Sequence, residues 1–380
     1  LSEAGRFFAQ YDLRLTLTPG LGRASALSLL RAFGSAQGLF SAHTDQLVSV
    51  VGMKKAKALA QVPAQLESHL KATQQWLQAS TQHHLITWDD SCYPDTLRQV
   101  DDAPVLLFAQ GNLDLLNKRR ALAIVGSRSP TPQGAKDAFA FAQTLTQQGW
   151  VIVSGLASGI DTAAHEGALV AQGETIAVVG TGLDRVFPTQ NKALAERIAQ
   201  HGLVLSEYLL GTPPLAAHFP QRNRLIAGLA VGTLVVEAAL KSGSLITARL
   251  ALEQGKEVFA IPGSIHSPIA KGCHQLIKQG AKLVESAEDI LEELQAYKTP
   301  MSVRSFQSTR SEDQAARVPP SAFSDSPLLA ALGHQMMSLD ELQGITGWDA
   351  AHLQIQLLEL ELQNRVARVP GGLFQQIAEV

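Results

Sequence analysis

Apolar positions in the first 80 residues follow a helical rhythm, as at Leu27, Leu29, Leu30 and Phe33. Thr18-Pro-Gly-Leu-Gly22 reads as a turn between two helices, and Val51-Gly-Met-Lys-Lys-Ala-Lys57 as a second turn leading into another. Residues 1–80 are therefore expected to form a small helical domain. A helix, a Gly-x-Gly hairpin and a second helix can present backbone N–H groups to a phosphate. The same pattern also describes a packing domain in which Lys54, Lys55 and Lys57 form a solvated face.

From residue 120 the rhythm changes. Short apolar runs alternate with helical segments: Ala121–Val125, Trp150–Val153, Thr175–Val179, Leu203–Leu205, Thr233–Val236, Val258–Ile261 and Lys282–Val284. Strands buried on both faces read as continuous runs rather than alternation. Strand–helix repeats of this kind predict a doubly wound, mainly parallel α/β sheet, with ligands gathered at the C-terminal strand ends. Leu85–Trp88 and Val105–Phe108 are expected to extend this domain, giving it bounds of 81–297.

Residues 298–325 hold six serines and three prolines among polar residues, the composition of a linker. Residues 326–380 predict a new unit. Leu328–Leu332 begins a helix, Ser338 and Glu341 have capping-box spacing, and Asp349–Gln363 reads as a longer helix. Arg365–Val369, Pro-Gly-Gly and Leu373–Ile377 then predict a hairpin. Three helices followed by a hairpin describe a winged helix.

Charge adds a second layer. The 380-residue chain is net −3, but residues 1–80 are +4, 81–297 are −4, 298–325 are +1 and 326–380 are −4. A uniformly basic nucleic-acid coat is excluded, whereas a local basic groove is not. With 46% hydrophobic and 17% charged residues, the chain can bury substantial cores. Its two cysteines, Cys92 and Cys273, exclude a disulfide scaffold and an all-Cys zinc site. The longest apolar stretch, Leu225 to Leu240, carries Glu237 and two glycines and makes a poor membrane span. The first residues lack a secretory pattern, so the expected compartment is cytoplasmic.

The chemistry gathers where strands should end. The first strand of the repeat runs into Gly126-Ser127-Arg128: a glycine admits close backbone approach, the serine can donate, and the arginine can fork onto a phosphate. An internal salt bridge is the plainer reading of Arg128. The usual Gly-x-Gly-x-x-Gly dinucleotide fingerprint is absent. Ser154-Gly-Leu-Ala-Ser-Gly-Ile-Asp161 follows the next strand, with His165 four residues on. Asp161 and His165 suit an acid–base pair, but without a nucleophile elbow, capping and packing explain them better.

Phe219-Pro-Gln-Arg222-Asn223-Arg224 opens a helix whose dipole favours anions. Phe219 can stack on an unpaired base or simply staple its loop. Lys241-Ser242-Gly243-Ser244 precedes another helix and makes a second phosphate-ready corner. Arg128, Arg222, Arg224 and Lys241 are thus expected on one sheet edge, forming a groove. Glu237 ends a strand beside that corner, as a catalytic carboxylate or a cation's partner. No carboxylate cluster, paired-histidine spacing or nucleoside-triphosphate loop accompanies it, so neither metal nor cofactor is expected.

These motifs, with Asp184-Arg-Val-Phe-Pro188 and Ala260-Ile-Pro-Gly263, resemble the DprA, or Smf, family of DNA-processing proteins in order and spacing over about 160 residues. The resemblance implies an N-terminal helical (SAM-like or helix-hairpin-helix-like) domain, an extended Rossmann-like domain and a C-terminal winged helix. It implies a non-enzymatic protein of natural transformation that binds and protects incoming single-stranded DNA and helps load the RecA recombinase. Its implied phosphate-binding role falls on Ser127, Arg128 and Lys241, with the Arg222-Asn223-Arg224 motif beside them; Gly126, Phe219 and the Ser242-Gly243-Ser244 turn join the candidate site from the residues alone. A homodimer through the end of the sheet is also implied, and the candidate patch is Leu276, Ile277 and Leu283.

The acidic winged helix, whose only cations are Arg365 and Arg368, points to protein contact rather than a duplex grip. The sheet domain also resembles the lysine-decarboxylase-like nucleotide phosphoribohydrolases. Here, however, Glu237 follows Gly232-Thr233 after three residues, where that family's motif has two.

Overall fold

In the computed structural model, residues 3–294, 327–333, 336–363, 365–369 and 371–377 are described, with side chains from residue 10 onward. The expected linker, 298–325, lies outside the described residues. Two compact units emerge: one holds the helices and large sheet up to Glu293, apart from Thr131–Gln133, and the other holds Thr131–Gln133 with the described residues from Leu294 on.

Six helices open the first unit: α1 (Glu3–Leu17), α2 (Arg23–Phe33), α3 (Ala36–Ser41), α4 (Thr44–Val51), α5 (Met53–Ala60) and α6 (Leu66–Ala79). The two expected turns are present, and Gly52 joins α4 to α5 at φ 79°. These helices do not enclose a core of their own. Leu15, Leu27, Leu30, Leu39 and Leu59 belong to one apolar cluster with Tyr93, Leu97 and the sheet residues Leu107 and Val125. Leu13 and Leu66 pack with Leu106 and Phe108.

The sheet region runs β1 (His83–Thr87), α7 (Asp95–Arg98), β2 (Leu106–Gly111), β3 (Ala121–Val125), α8 (Pro132–Gln147), β4 (Val151–Ser154), α9 (Ile160–Val170), β5 (Thr175–Val178) and α10 (Lys192–His201). It continues with β6 (Leu203–Ser206), α11 (His218–Leu229), β7 (Gly232–Val235), α12 (Ser244–Glu253), β8 (Glu257–Ala260), α13 (Lys271–Lys278), β9 (Lys282–Leu283) and α14 (Ala287–Glu293). The nine strands lie in the order β1-β2-β6-β5-β4-β3-β7-β8-β9. From β6 to β9 all neighbours are parallel, whereas β1–β2 and β2–β6 are antiparallel. Strands β3 to β5 have no exposed residue, which is why they read as unbroken apolar runs.

This order fixes the place of a ligand site. Strand β3 is followed on one side by β4, β5 and β6, and on the other by β7, β8 and β9. The winding reverses between β3 and β7, which pair in parallel with Val125 opposite Val235. The loops leaving these two strands must diverge, and the crevice between them is where open α/β sheets bind ligands.

The second unit contains α15 (Pro327–Leu332), β10 (Met336–Ser338), α16 (Leu339–Thr346), α17 (Ala350–Leu362), β11 (Val366–Val369) and β12 (Leu373–Gln376). This is the expected winged helix with one added strand, β10, which pairs with β12. Ser338 and Glu341 form the predicted capping box, Glu341 accepting the Ser338 N–H at 2.7 Å. Leu332, Leu342, Leu353, Leu357 and Phe374 fill its core.

At the sheet's far end, the candidate dimer patch needs correction. Gly272, Cys273 and Leu276 form the buried face of α13, so Leu276 is core. Ile277 is half-buried against the same cluster, and Leu283 on the edge strand is exposed. Among the described residues no helix is long and apolar enough to cross a membrane.

Candidate nucleic-acid interface

A cleft of about 780 Å³ opens at the reversal point. One wall is the Gly126-Ser127-Arg128 turn leaving β3, and another is Lys241-Ser-Gly-Ser244 at the start of α12. Helix α11 supplies the floor through Arg222, Asn223 and Ile226, and Phe187 and Phe219 complete the rim.

The four expected cations have three different fates. Arg128 and Lys241 are exposed, and neither is held in an ion pair among the described residues. The Arg128 guanidinium lies over the Phe219 ring, 5.4 Å from its centroid, a cation–π contact that leaves its N–H fork open to an anion. Beside Lys241, the Ser242 and Ser244 hydroxyls meet at 2.7 Å at the start of α12. Asn223 donates its side-chain N–H to the Gly243 carbonyl at 3.2 Å and so ties this turn to the floor.

Arg222 lies beneath the surface. It is 3% exposed, and its guanidinium donates to the carbonyls of Gly155 and Val178 at the ends of β4 and β5. A Cβ on residue 155 would collide with that guanidinium, so Gly155 is required for the close approach. Burial lowers the Arg222 pKa to about 10, which leaves it charged at neutral pH. Its charge reaches the cleft as a field from below, not as a free hydrogen-bonding fork.

Arg224 does not join the cleft, contrary to the sequence-based expectation. Two residues on an α-helix are rotated by about 200°, so Arg222 and Arg224 cannot face the same side. Arg224 points behind α11, with its Nε donating to Asp102 at 2.7 Å and its Nη2 to Glu207 at 2.5 Å. Burial pulls its pKa down, but Glu207 and Asp102 more than offset this and hold it above the usual value.

Asp161 and His165 are structural. The Asp161 carboxylate accepts the N–H groups of Gly155 and Ala157 at 3.1 and 3.3 Å, which fixes the turn after β4. Burial raises its pKa against the opposing pull of Arg222. His165 lies fully buried on Thr175, whose hydroxyl donates to the Ile152 carbonyl and must therefore accept from His165 Nδ1–H. Burial lowers the His165 pKa to about 3, so it is neutral and no base for the cleft. Glu237 does not line the cleft; its carboxylate lies against Gly134 of α8, where a Cβ would collide with it. Glu237, the carboxylate on which the hydrolase alternative rests, therefore lies outside this cleft.

One cleft residue had no role assigned from sequence. Phe187 sits in the Asp184-Arg-Val-Phe-Pro188 segment, and its ring centroid is 5.6 Å from that of Phe219. An aromatic residue in a loop leaving a central strand is the signal that would have marked it.

Comparisons with known proteins agree with this arrangement. The family model for DNA recombination-mediator protein A matches residues 84–295, and that for the DprA winged helix domain matches 312–372. The chain belongs to the DprA/Smf family. Protein Smf of Escherichia coli is 45% identical over 301 residues, which covers 78% of each chain. The DNA processing protein DprA of Streptococcus pneumoniae is 56% identical over 206 residues, 54% of this chain and 72% of that one. Its X-ray structure superposes with a TM-score of 0.67 at 44% identity, covering 75% of this chain and 97% of that chain. The Helicobacter pylori DprA structure, described for its single-stranded DNA binding mode, matches with a TM-score of 0.52 at 33% identity. It covers 57% of this chain and 98% of that chain. The stretch matched by the first family model contains every residue that lines the cleft.

Proposed function

We propose that this protein binds single-stranded DNA in the cleft between β3 and β7, protects it, and delivers it to the RecA recombinase during uptake of foreign DNA. The observation that carries the binding step is the pair of unpaired cations, Arg128 and Lys241, beside an aromatic ring in a crevice made for ligands. The cations meet phosphates, and the ring offers a stacking face that only an unpaired base can use. The single-stranded DNA described for the H. pylori relative supports the same reading. Delivery to a recombinase rests on the family's description as a recombination mediator.

The deciding experiment is a salt-series titration with single-stranded and duplex DNA of equal length. Preference for the single strand, with affinity falling as salt rises, is expected. Equal affinity for the duplex, or no salt dependence, would remove the cleft as the binding site.

The protein also acts as a homodimer in this reading, through the edge formed by half-buried Ile277 and exposed Leu283. A two-fold axis there would bring like patches together and let two clefts engage one strand. Ile277→Glu should give a folded monomer by light scattering that binds long strands less tightly. A variant that stays dimeric would place the interface elsewhere.

A further inference from the structure

Phe187 stands on the cleft rim in an unusual state for a phenylalanine. It is 42% exposed, although the loop that carries it is firmly held. On one side, Leu183 and Val186 pack against the apolar cluster that includes Leu156, Val179 and Leu194. On the other, the Asn191 side chain donates to the Leu156 carbonyl at 3.0 Å and to the Thr162 hydroxyl at 2.9 Å. The base of the loop is closed by the Thr181 hydroxyl, which donates to the Arg185 carbonyl at 2.9 Å. A ring kept in water by buried neighbours is preorganised for a partner rather than left over from packing.

The ring's surroundings identify that partner. Phe187 leans on Phe219 at an interplanar angle of 44°, too close and too tilted for a base to slide between the two. Phe219 in turn carries Arg128 on its ring. The order along this wall is therefore guanidinium, half-buried ring, exposed ring. We infer that Phe187 is a base-stacking residue: with the backbone phosphate at Arg128 and Lys241, the base turns to this wall and stacks on the open face of Phe187. The ligand class is an unpaired nucleobase on a phosphodiester strand. The inference rests on the cleft being the binding site for single-stranded DNA, and it adds a direction, with phosphates toward α12 and bases toward the β5–α10 loop.

The test compares oligothymidylate with an abasic strand of the same length, at one salt concentration, for the wild type and four variants. Phe187→Ala should weaken oligothymidylate binding by roughly ten-fold, the scale of one lost base–aromatic stack, and leave the abasic strand unchanged. Phe187→Tyr should restore binding, whereas Phe187→Leu, apolar but without a ring, should not. Thermal unfolding of all three should match wild type, because the ring is exposed. Equal losses on both strands would mean that the ring only props Phe219, and would overturn the inference. Unchanged affinity in Phe187→Ala, alongside a clear loss in Arg128→Ala, would overturn stacking while leaving the cleft intact. A wild type that binds neither strand would overturn both.

Discussion

Helix α11 separates two clefts of nearly equal size whose charges have opposite uses. The front cleft, about 780 Å³, presents Arg128 and Lys241 without ionic partners among the described residues. The rear one, about 720 Å³, is lined by Arg224, Asp102 and Lys256. There Arg224 is paired with Glu207 and Asp102, and Lys256 donates to the carbonyls of Ala227 and Gly228 at the end of α11. Arg23 of α2 reaches Glu207 as well, at 3.5 Å, so the rear charges tie the N-terminal helices to the sheet. A cation already matched to a buried carboxylate has little left for a phosphate. In the proposed function the front cleft is the one suited to bind, because its charges are not neutralised, whereas the rear charges are matched and hold the fold.

The sharpest way to break this comparison is Arg224→Ala. It leaves Glu207, whose side chain is 5% exposed, without its closest partner. Truncating one member of a buried pair costs about 3–5 kcal/mol, and urea unfolding should read that loss. Replacing the pair together, as Arg224→Met with Glu207→Gln, should recover most of it. If Arg224→Ala kept full stability but lost DNA binding, the division between front and rear would be wrong.

Another buried acid sharpens the same point, because no cation pairs with it among the described residues. Burial first, then Asp89 and Asp90, raise the Asp12 pKa from 3.8 to about 8, and its Oδ1 has no hydrogen-bond partner. Below the unfolded value, both states hold the proton and nothing is lost. As pH rises from 3.8 toward about 8, the unfolded chain releases a proton that the folded one keeps, so stability falls, then levels off. Asp12→Asn should remove that slope and be more stable than wild type at neutral pH by on the order of 4 kcal/mol. Near pH 4 the two should match. A pH profile unchanged by the substitution would show that Asp12 has the same pKa in the folded and unfolded chain.

Much of this arrangement was legible in the sequence. Unbroken apolar runs gave away the parallel strands, because burial on both faces leaves no polar alternation. Glycines, serines and cations following those runs marked the loops at the strand ends. Strand β10 was not legible, since Met336-Met337-Ser338 has too few residues for a period and pairs only through the distant β12. Arg224 was misplaced for two reasons. Its helical phase relative to Arg222 was readable and excluded a shared face, but its partners were not, since Asp102 lies 122 residues away in sequence. Phe187 was visible only as an aromatic in a loop leaving a central strand; its exposure was not, because exposure of an apolar ring is decided by what its neighbours bury.

Smaller effects are expected at the front. Arg128→Ala and Lys241→Ala should each weaken single-strand binding by roughly 1.5–3 kcal/mol, the scale of one charge-assisted hydrogen bond. Both side chains are exposed and unpaired, so unfolding free energies should stay within about 0.5 kcal/mol of wild type. Loss of stability without loss of binding in either variant would put that residue with the rear charges.

The smallest expected effect discriminates most finely between free and matched cations. Each phosphate neutralised on a single strand contributes about −0.7 to the slope of log affinity against log salt. Four cations on one edge would give a slope near −2.8, whereas two free ones give about −1.4. Buried Arg222 and paired Arg224 release no counterion from the strand, because no phosphate reaches them. A strand short enough to occupy one cleft should therefore show the shallower slope. Lys241→Ala should reduce its magnitude by about 0.7, a change read only from a full salt series. Arg224→Met paired with Glu207→Gln should leave the slope where it was. A slope near −2.8 in the wild type would require Arg222 or Arg224 to leave its buried partners when DNA arrives, and the front cleft would then be larger than the unliganded fold presents.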